Sequence, residues 1–278
     1  DLSDIDGDQT VDFTTGTATD GTDTDSFRNI ENVTTGDGDD YINAKSGHDT
    51  ISSGGGADTV YGGGGNDIID SGDGDDRVFG GSGKDTITGG AGDDYINAGG
   101  SHDSVDGGKG NDTIFGGGGK DAITGGAGDD YIDAGSSSDT VDGGAGNDTL
   151  RGGEGDDVLI GGDGVDTASY IDSESAVTVD TSNNTVSGTS SGTDTLDGIE
   201  VVRGSEFNDT FIGGGQSDTF IGGAGNDTFD AGAGNDTLSL GGGADQVIFN
   251  PGDGNDTITD FNAGADQIDL TSFNIAGY

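Results

Sequence analysis

A nine-residue period is the feature that most constrains what this chain can fold into. From Thr35 to Ser169 the frame holds without a slip over 135 residues, which is fifteen units of nine. Position six is Asp in every unit, and position eight is Ile, Val or Leu in every unit except the one that carries Ala168. Random placement of Asp would keep this register with a probability of roughly 10^-11. The period therefore argues against a disordered acidic linker.

Charge and composition narrow the classes of function. The 278 residues include 55 acidic and 8 basic ones, for a net charge of -47, and Asp accounts for all but five of the acidic residues. Such a charge with only 27% hydrophobic residues is typical of chains that stay unfolded. It repels nucleic acid and attracts cations. No apolar run is long enough to span a bilayer, so we expect neither a nucleic-acid partner nor a transmembrane segment.

Position six supplies the candidate metal ligands in two blocks of repeats. The second block has five units, from Gly204 to Ile248, and two looser units with Asp256 and Asp266 follow it. The predicted side-chain ligands are Asp40, Asp49, Asp58, Asp67, Asp76, Asp85, Asp94, Asp103, Asp112, Asp121, Asp130, Asp139, Asp148, Asp157 and Asp166 in the long block, and Asp209, Asp218, Asp227, Asp236 and Asp245 in the second.

The pattern within each unit predicts an all-β solenoid. Positions seven to nine favour a short strand with position eight facing inward, and the glycine-rich positions one to six favour a turn. Two units then make one eighteen-residue turn of a right-handed parallel β-roll. The expected organisation is an N-terminal β cap (1–34), a long roll (35–169), an intervening β cap (170–203), a short roll with its C-terminal flank (204–269) and a tail (270–278).

The unit G-G-x-G-x-D-x-U-x, as in GGAGDDYIN and GGKGNDTIF, resembles the repeats-in-toxin (RTX) family of haemolysin-type calcium-binding repeats. The resemblance implies Ca²⁺ bound between stacked loops. One loop supplies carbonyls two and four and its Asp, and the loop one turn later supplies carbonyls one and three and its Asp. Thirteen stacked pairs in the long block and three in the second allow up to about 16 ions. At one such site the resemblance implies the carbonyl ligands Gly90, Gly92, Gly107 and Lys109. At a second site it implies Gly126, Gly128, Gly143 and Ala145.

The resemblance also implies a function. It indicates a secreted bacterial protein, extracellular or on the cell surface, whose β-roll couples calcium binding to folding after type I export. No catalytic motif is present, so we expect no enzyme activity in this chain. Two other classes remain open: a structural surface of an adhesin or surface-layer protein, and the C-terminal module of an enzyme whose catalytic domain lies upstream of Asp1.

Six outward-facing aromatic residues all belong to odd-numbered units and are expected on one sheet. They indicate either a contact stripe for a partner, a glycan or another copy, or the duplication of an ancestral pair of units. The six are Tyr41, Tyr61, Phe79, Tyr95, Phe115 and Tyr131.

The two edges of the roll differ in sequence. Odd-numbered loops have Gly at positions two and four throughout the long block, whereas three even-numbered loops replace it with Lys45, Ser101 or Ser137. If these positions need a left-handed backbone, each replacement costs about 1 kcal/mol or more. Position five adds cations only on the even edge, which we therefore expect to bind calcium less tightly. These residues are His48, Lys84, His102 and Lys120.

Overall fold

The computed structural model describes residues 7–21, 24–26 and 30–273 of the chain. Within these residues the protein is built almost entirely of β-strands, and a single short 3₁₀ helix lies at Thr271–Phe273. In this described part, no helix is long and apolar enough to cross a membrane.

In the part of the chain that the structure describes, thirty strands follow one another. The N-terminal segment and the first two units form β1 (Thr10–Asp12), β2 (Thr17–Thr19), β3 (Thr24–Ser26), β4 (Asn32–Thr34), β5 (Tyr41–Asn43) and β6 (Thr50–Ser52). The other units of the long block form β7 (Thr59–Gly64), β8 (Ile68–Asp73), β9 (Arg77–Ser82), β10 (Thr86–Ala91), β11 (Tyr95–Gly100), β12 (Ser104–Lys109), β13 (Thr113–Gly118), β14 (Ala122–Ala127), β15 (Tyr131–Ser136), β16 (Thr140–Ala145), β17 (Thr149–Arg151), β18 (Val158–Asp163) and β19 (Thr167–Ser169). The intervening segment forms β20 (Val177–Asp180), β21 (Thr185–Gly188), β22 (Gly192–Asp197) and β23 (Val201–Arg203). The second block and its flank form β24 (Thr210–Ile212), β25 (Thr219–Ile221), β26 (Thr228–Asp230), β27 (Thr237–Ser239), β28 (Gln246–Ile248), β29 (Thr257–Ile258) and β30 (Gln267–Asp269).

Two sheets of fifteen strands each contain these strands, and successive repeat units alternate between the sheets. Odd-numbered units of the long block lie in the first sheet and even-numbered units in the second. β11 pairs in parallel with β13, so that Tyr95 lies opposite Thr113 and Ile96 opposite Ile114. The register shift is therefore eighteen residues, two units make one turn, and the prediction of an all-β parallel solenoid is confirmed.

Most strands of the long block are longer than the three residues predicted. β11 continues through Gly99 and Gly100, which lie opposite residues of β13 in the same register. The glycines of the following unit pair in this way because adjacent turns approach closely there. A Cβ on Gly99 would lie 2.0 Å from the Gly81 carbonyl oxygen, and the φ of Gly99 is +107°. Only positions four to six remain to connect the two sheets.

Position eight builds the core, as the pattern predicted. Every position-eight side chain of the long block, from Ile42 to Ala168, is at most 3% exposed. In the second block Phe211, Phe220 and Phe229 take this position and are fully buried. The rings of Phe211 and Phe229 stack with their centroids 4.6 Å apart. One apolar line therefore runs between the sheets and holds the two edges at a fixed separation.

Residues 170–203 lie inside the stack and not at an open end of it. β19 pairs directly with β23, and β23 with β25, so the first sheet continues from the long block into the second. In the second sheet, β22, β21 and β20 form an antiparallel meander between β18 and β24. The arrangement differs from the predicted intervening cap, because both blocks share both sheets and leave no open end between them.

Antiparallel strands also extend the first sheet at the N-terminal end. β1 pairs in parallel with β5 and antiparallel with β2, which in turn pairs with β3. Residues 1–6, 22–23 and 27–29 of the predicted N-terminal cap, and 274–278 of the predicted tail, lie outside the described residues. The proposed domain boundaries stay a prediction.

Candidate metal centre

The position-six aspartates form two rows, one along each edge of the solenoid. Apart from the aspartates that begin each row in a block, each carboxylate accepts a hydrogen bond through Oδ1 from the main-chain N–H of the aspartate one turn earlier. The N–H of Asp76 donates to Asp94, and that of Asp94 donates to Asp112, both at 2.8 Å. The same bond links all thirteen pairs of the long block and three pairs of the second. The structure thus brings together the sixteen stacked pairs predicted from the sequence.

The second carboxylate oxygen in these rows is buried and has no hydrogen-bond donor. This holds for Oδ2 of all fifteen long-block aspartates and of Asp227, Asp236 and Asp245. These residues are at most 3% exposed. Burying a carboxylate without a partner costs several kcal/mol, and buried charges in proteins are paired or bind metals. Two rows of such oxygens fit a series of cations.

A carbonyl oxygen lies close to each free carboxylate oxygen, as the gap between loops 89–94 and 107–112 illustrates. A Cβ placed on Gly89 would lie 2.4 Å from Asp94 Oδ2 and 2.5 Å from the Gly107 carbonyl oxygen. The two oxygens are therefore no more than about 5 Å apart, a separation that one Ca²⁺ with oxygen ligands at about 2.3–2.6 Å can bridge.

The other carbonyls named for this site face the same gap. The Gly90 oxygen would lie 2.1 Å from a Cβ on Gly108, and the Gly92 oxygen 2.0 Å from one on Gly110, so both point at the following loop. The Lys109 carbonyl points back and accepts the N–H of Gly92 at 2.8 Å. Carbonyls from both loops and two carboxylates therefore converge between successive turns.

The second site named from the sequence repeats this geometry. The Gly126 and Gly128 oxygens would lie 2.2 Å and 1.9 Å from a Cβ on the glycine one turn later. The Gly143 oxygen would lie 2.6 Å from a Cβ on Gly125, and the Ala145 carbonyl accepts the N–H of Gly128 at 2.8 Å. The carbonyls of this gap are therefore arranged as in the first one, and their role as calcium ligands stays a prediction.

Side chains alone do not complete a coordination sphere. Within residues 7–21, 24–26 and 30–273, no group of three or more His, Cys, Asp or Glu side chains could hold a metal ion. Each gap has two carboxylates, whereas Ca²⁺ takes six to eight oxygens. The main-chain carbonyls must supply the rest, which explains why the loops need glycine and why Asp, rather than the longer Glu, is used.

Burial raises the pKa of several of these carboxyls. Loss of water raises the pKa of Asp76, Asp94 and Asp130 to about 7, and that of Asp58 and Asp112 to about 6. The main-chain N–H bond lowers each pKa without offsetting the burial. A cation in the gap favours the charged form, so metal ions and protons compete for the same oxygens.

Two predicted ligands differ from the others. Asp209 Oδ1 accepts the N–H of Val177 and the hydroxyl of Ser205, and its Oδ2 accepts the Ser205 N–H. Asp218 Oδ2 accepts the N–H of Gly214. These two aspartates begin the rows of the second block, where no regular loop precedes them. Protein donors therefore occupy oxygens that are free elsewhere.

Two residues that continue the rows were missed from the sequence. The N–H of Asp157 donates to Asp194 Oδ1 at 3.0 Å, and the N–H of Asp166 donates to Glu200 Oε2 at 2.9 Å. A signal for Asp194 exists, because SGTDTLD at 191–197 matches the second half of a repeat unit. Glu200 follows a loop too short to show the period, and its longer side chain reaches the same N–H.

The structure places Lys45, Ser101 and Ser137 in the left-handed backbone region, with φ of 73°, 103° and 89°. The condition on which the edge ranking rests is therefore met. His48 and His102 accept main-chain N–H groups through Nδ1, at 2.6 Å and 2.7 Å. Lys84 and Lys120 add positive charge at position five of the same edge.

We expect odd-edge aspartates to matter more for calcium-driven folding than even-edge ones. Asp94→Ala and Asp112→Ala should raise the calcium concentration at the folding midpoint more than Asp103→Ala and Asp121→Ala. A strain of about 1 kcal/mol on the even edge corresponds to a difference of about fivefold. Calcium titrations followed by circular dichroism measure the four midpoints. Ser101→Gly should lower the midpoint, since it removes the strain; equal or reversed shifts between the edges would refute the ranking.

The outward aromatic residues form one ladder on the first sheet. From Tyr41 to Tyr131, neighbouring ring centroids are 4.8–6.1 Å apart. Tyr61 and Phe79 stack with only 7° between their planes, whereas the other pairs are tilted. Because the rings pack against one another, each ring offers a partner less free face than an isolated ring would.

The residues that match a known family coincide with the two blocks of repeats. A model of the RTX calcium-binding nonapeptide repeat matches residues 34–69, 70–105, 97–132, 106–141, 133–168, 194–229, 212–247 and 221–258. Together these matches cover well over half of the chain and leave the junction at 169–193 unmatched. No curated protein matches the chain.

Proposed function

Because the chain belongs to the family of RTX calcium-binding nonapeptide repeats, we propose that its solenoid folds as it binds calcium, after export from the cell. The observation that carries this proposal is the double row of buried, unpartnered Asp Oδ2 atoms. Without cations, a chain with a net charge of -47 would have to bring these rows together against their mutual repulsion. Metal binding and folding are then one event.

Export and localisation follow from the same coupling. A chain that cannot fold without calcium stays extended where calcium is scarce and folds where it is abundant. This property suits type I secretion from a bacterium to the extracellular space or the cell surface. We assign this chain no catalytic role.

Two other roles remain as alternatives. The solenoid could be the surface of an adhesin or surface-layer protein, or a module of an enzyme with its catalytic domain elsewhere. Binding of a partner or a glycan by the aromatic ladder stays a prediction. The mutual packing of the rings gives the ladder a role of its own, since aromatic pairs contribute about 0.5–1.5 kcal/mol each.

Counting bound ions tests the proposed function. Native mass spectrometry of the 278-residue chain in saturating calcium should show about 16 ions, one for each stacked pair. Magnesium at the same concentration should leave most sites empty, because it requires a tighter octahedron and retains its waters. Fewer than about half the expected ions on a folded chain would contradict the assignment of a metal to every gap.

A further inference from the structure

A repeat unit interrupted by a hairpin lies at the junction of the two blocks. The N–H of Tyr170 donates to the Arg203 carbonyl at 2.9 Å, which is the bond made by the first residue of regular units. Residues 171–189 then leave the solenoid path and form a hairpin through β20 and β21. The chain returns at residues 190–197, which supply the remaining positions of the unit. Tyr170 is thus position one, and Asp194 is position six.

The returning segment stacks on the last regular loop of the even edge. In addition to its bond with Asp194, Asp157 accepts the N–H of Thr195 through its carbonyl at 2.8 Å. The Gly155 oxygen would lie 2.0 Å from a Cβ on Gly192, whose φ is +74°. These contacts reproduce those between regular loops, although the family model does not match residues 169–193.

Free oxygens collect at this junction. Asp157 and Asp194 are 1% and 0% exposed, and Oδ2 of each has no hydrogen-bond donor. The Tyr170 side chain is 5% exposed, and its hydroxyl has no partner of normal hydrogen-bond geometry. Burial and the nearby charges of Asp194 and Asp157 raise the pKa of Tyr170 well above its usual value. The phenol therefore lies beside the two carboxylates.

We propose that Asp157, Asp194 and the Gly155 carbonyl hold one further calcium ion between loops 152–157 and 190–194. The Tyr170 hydroxyl lies at the end of this row of ions. This inference rests on the proposed function of the regular loops. Beyond Asp194 the neighbouring strand is β21, which is antiparallel and brings no further repeat loop. The phenol takes the place next to Asp194 that an additional ion would occupy in the regular rows.

Such an ion would link the two blocks. Asp157 belongs to the long block, and Asp194 belongs to the segment that leads through β23 into the second block. Occupation of this site therefore favours folding of both blocks together. Its loss would leave each block with its own regular sites but weaken the connection between them.

Asp194→Asn tests the site, with Asp197→Asn as the matched control three residues away on the exposed face of the same strand. In native mass spectrometry at saturating calcium, Asp194→Asn should bind one ion fewer than the unmodified chain, and Asp197→Asn should bind the same number. An unchanged count in folded Asp194→Asn would overturn the junction site. If the unmodified chain bound no calcium at all, the proposed function would fail instead, so the two failures are distinguishable.

Terbium provides a second measurement that does not depend on the folding of Asp194→Asn. Tb³⁺ substitutes for Ca²⁺ at oxygen sites, and its emission is sensitised by a nearby tyrosine ring. Tyr170→Phe should reduce the emission excited through tyrosine while leaving the calcium count unchanged. Emission unaffected by Tyr170→Phe would show that no ion lies beside this ring and would overturn the proposal.

Discussion

In calcium-free buffer the chain should gain strand structure as the pH falls from about 8 to about 5. This window follows from the pKa values of the buried rows, which reach about 7 at Asp94 and Asp103 and about 6 at Asp85. In the unfolded chain the same groups titrate near the ordinary Asp value of about 3.9.

The direction of the effect follows from proton binding. Between about pH 4 and pH 7 the folded, metal-free chain binds more protons than the unfolded chain, so its stability falls as the pH rises through this range. Each carboxyl with a raised pKa contributes up to about 1.4 kcal/mol per pH unit. Several such carboxyls in one cooperative structure make the expected change large.

Geometry explains how a proton can replace an ion. Asp94 Oδ2 and the Gly107 carbonyl oxygen border the same glycine, Gly89. A proton on Oδ2 turns that atom into a hydrogen-bond donor, and it removes the charge that repels the next aspartate. A proton offers only one such bond, whereas Ca²⁺ gathers six or more oxygens. Acid should therefore restore the fold only in part.

Circular dichroism across this pH range, in metal-free buffer, measures the effect. In saturating calcium the signal should not change between pH 8 and pH 6, which separates proton binding from general acid effects. Asp94→Asn should show a smaller pH dependence than the exposed substitution Asp106→Asn. A metal-free chain that stays a coil at pH 5 would contradict the role assigned to the buried carboxyls.

The period made most of the fold predictable from sequence. Once Asp94 and Asp112 are eighteen residues apart with Ile96 and Ile114 inward, turn length, register and core follow together. The rows of ligands were predictable for the same reason, since a strict period places equivalent residues on one line.

Local departures from the period were not predictable. The longer strands depend on how closely the main chains approach at residues such as Gly99. The occupied oxygens of Asp209 depend on Ser205 and on Val177, which lies 32 residues away in the chain. The repeat unit at the junction was not predicted because the hairpin at 171–189 separates Tyr170 from Asp194. A search for nine consecutive positions cannot join these two residues.

The most direct test of the account is the far-ultraviolet circular dichroism of the whole chain at pH 7.5, first in excess chelator and then during a calcium titration. The account predicts a coil spectrum in chelator, a cooperative appearance of strand signal with calcium, and no such change with magnesium at the same concentration. A strand spectrum that persists in excess chelator at this pH would contradict the claim that calcium drives the fold.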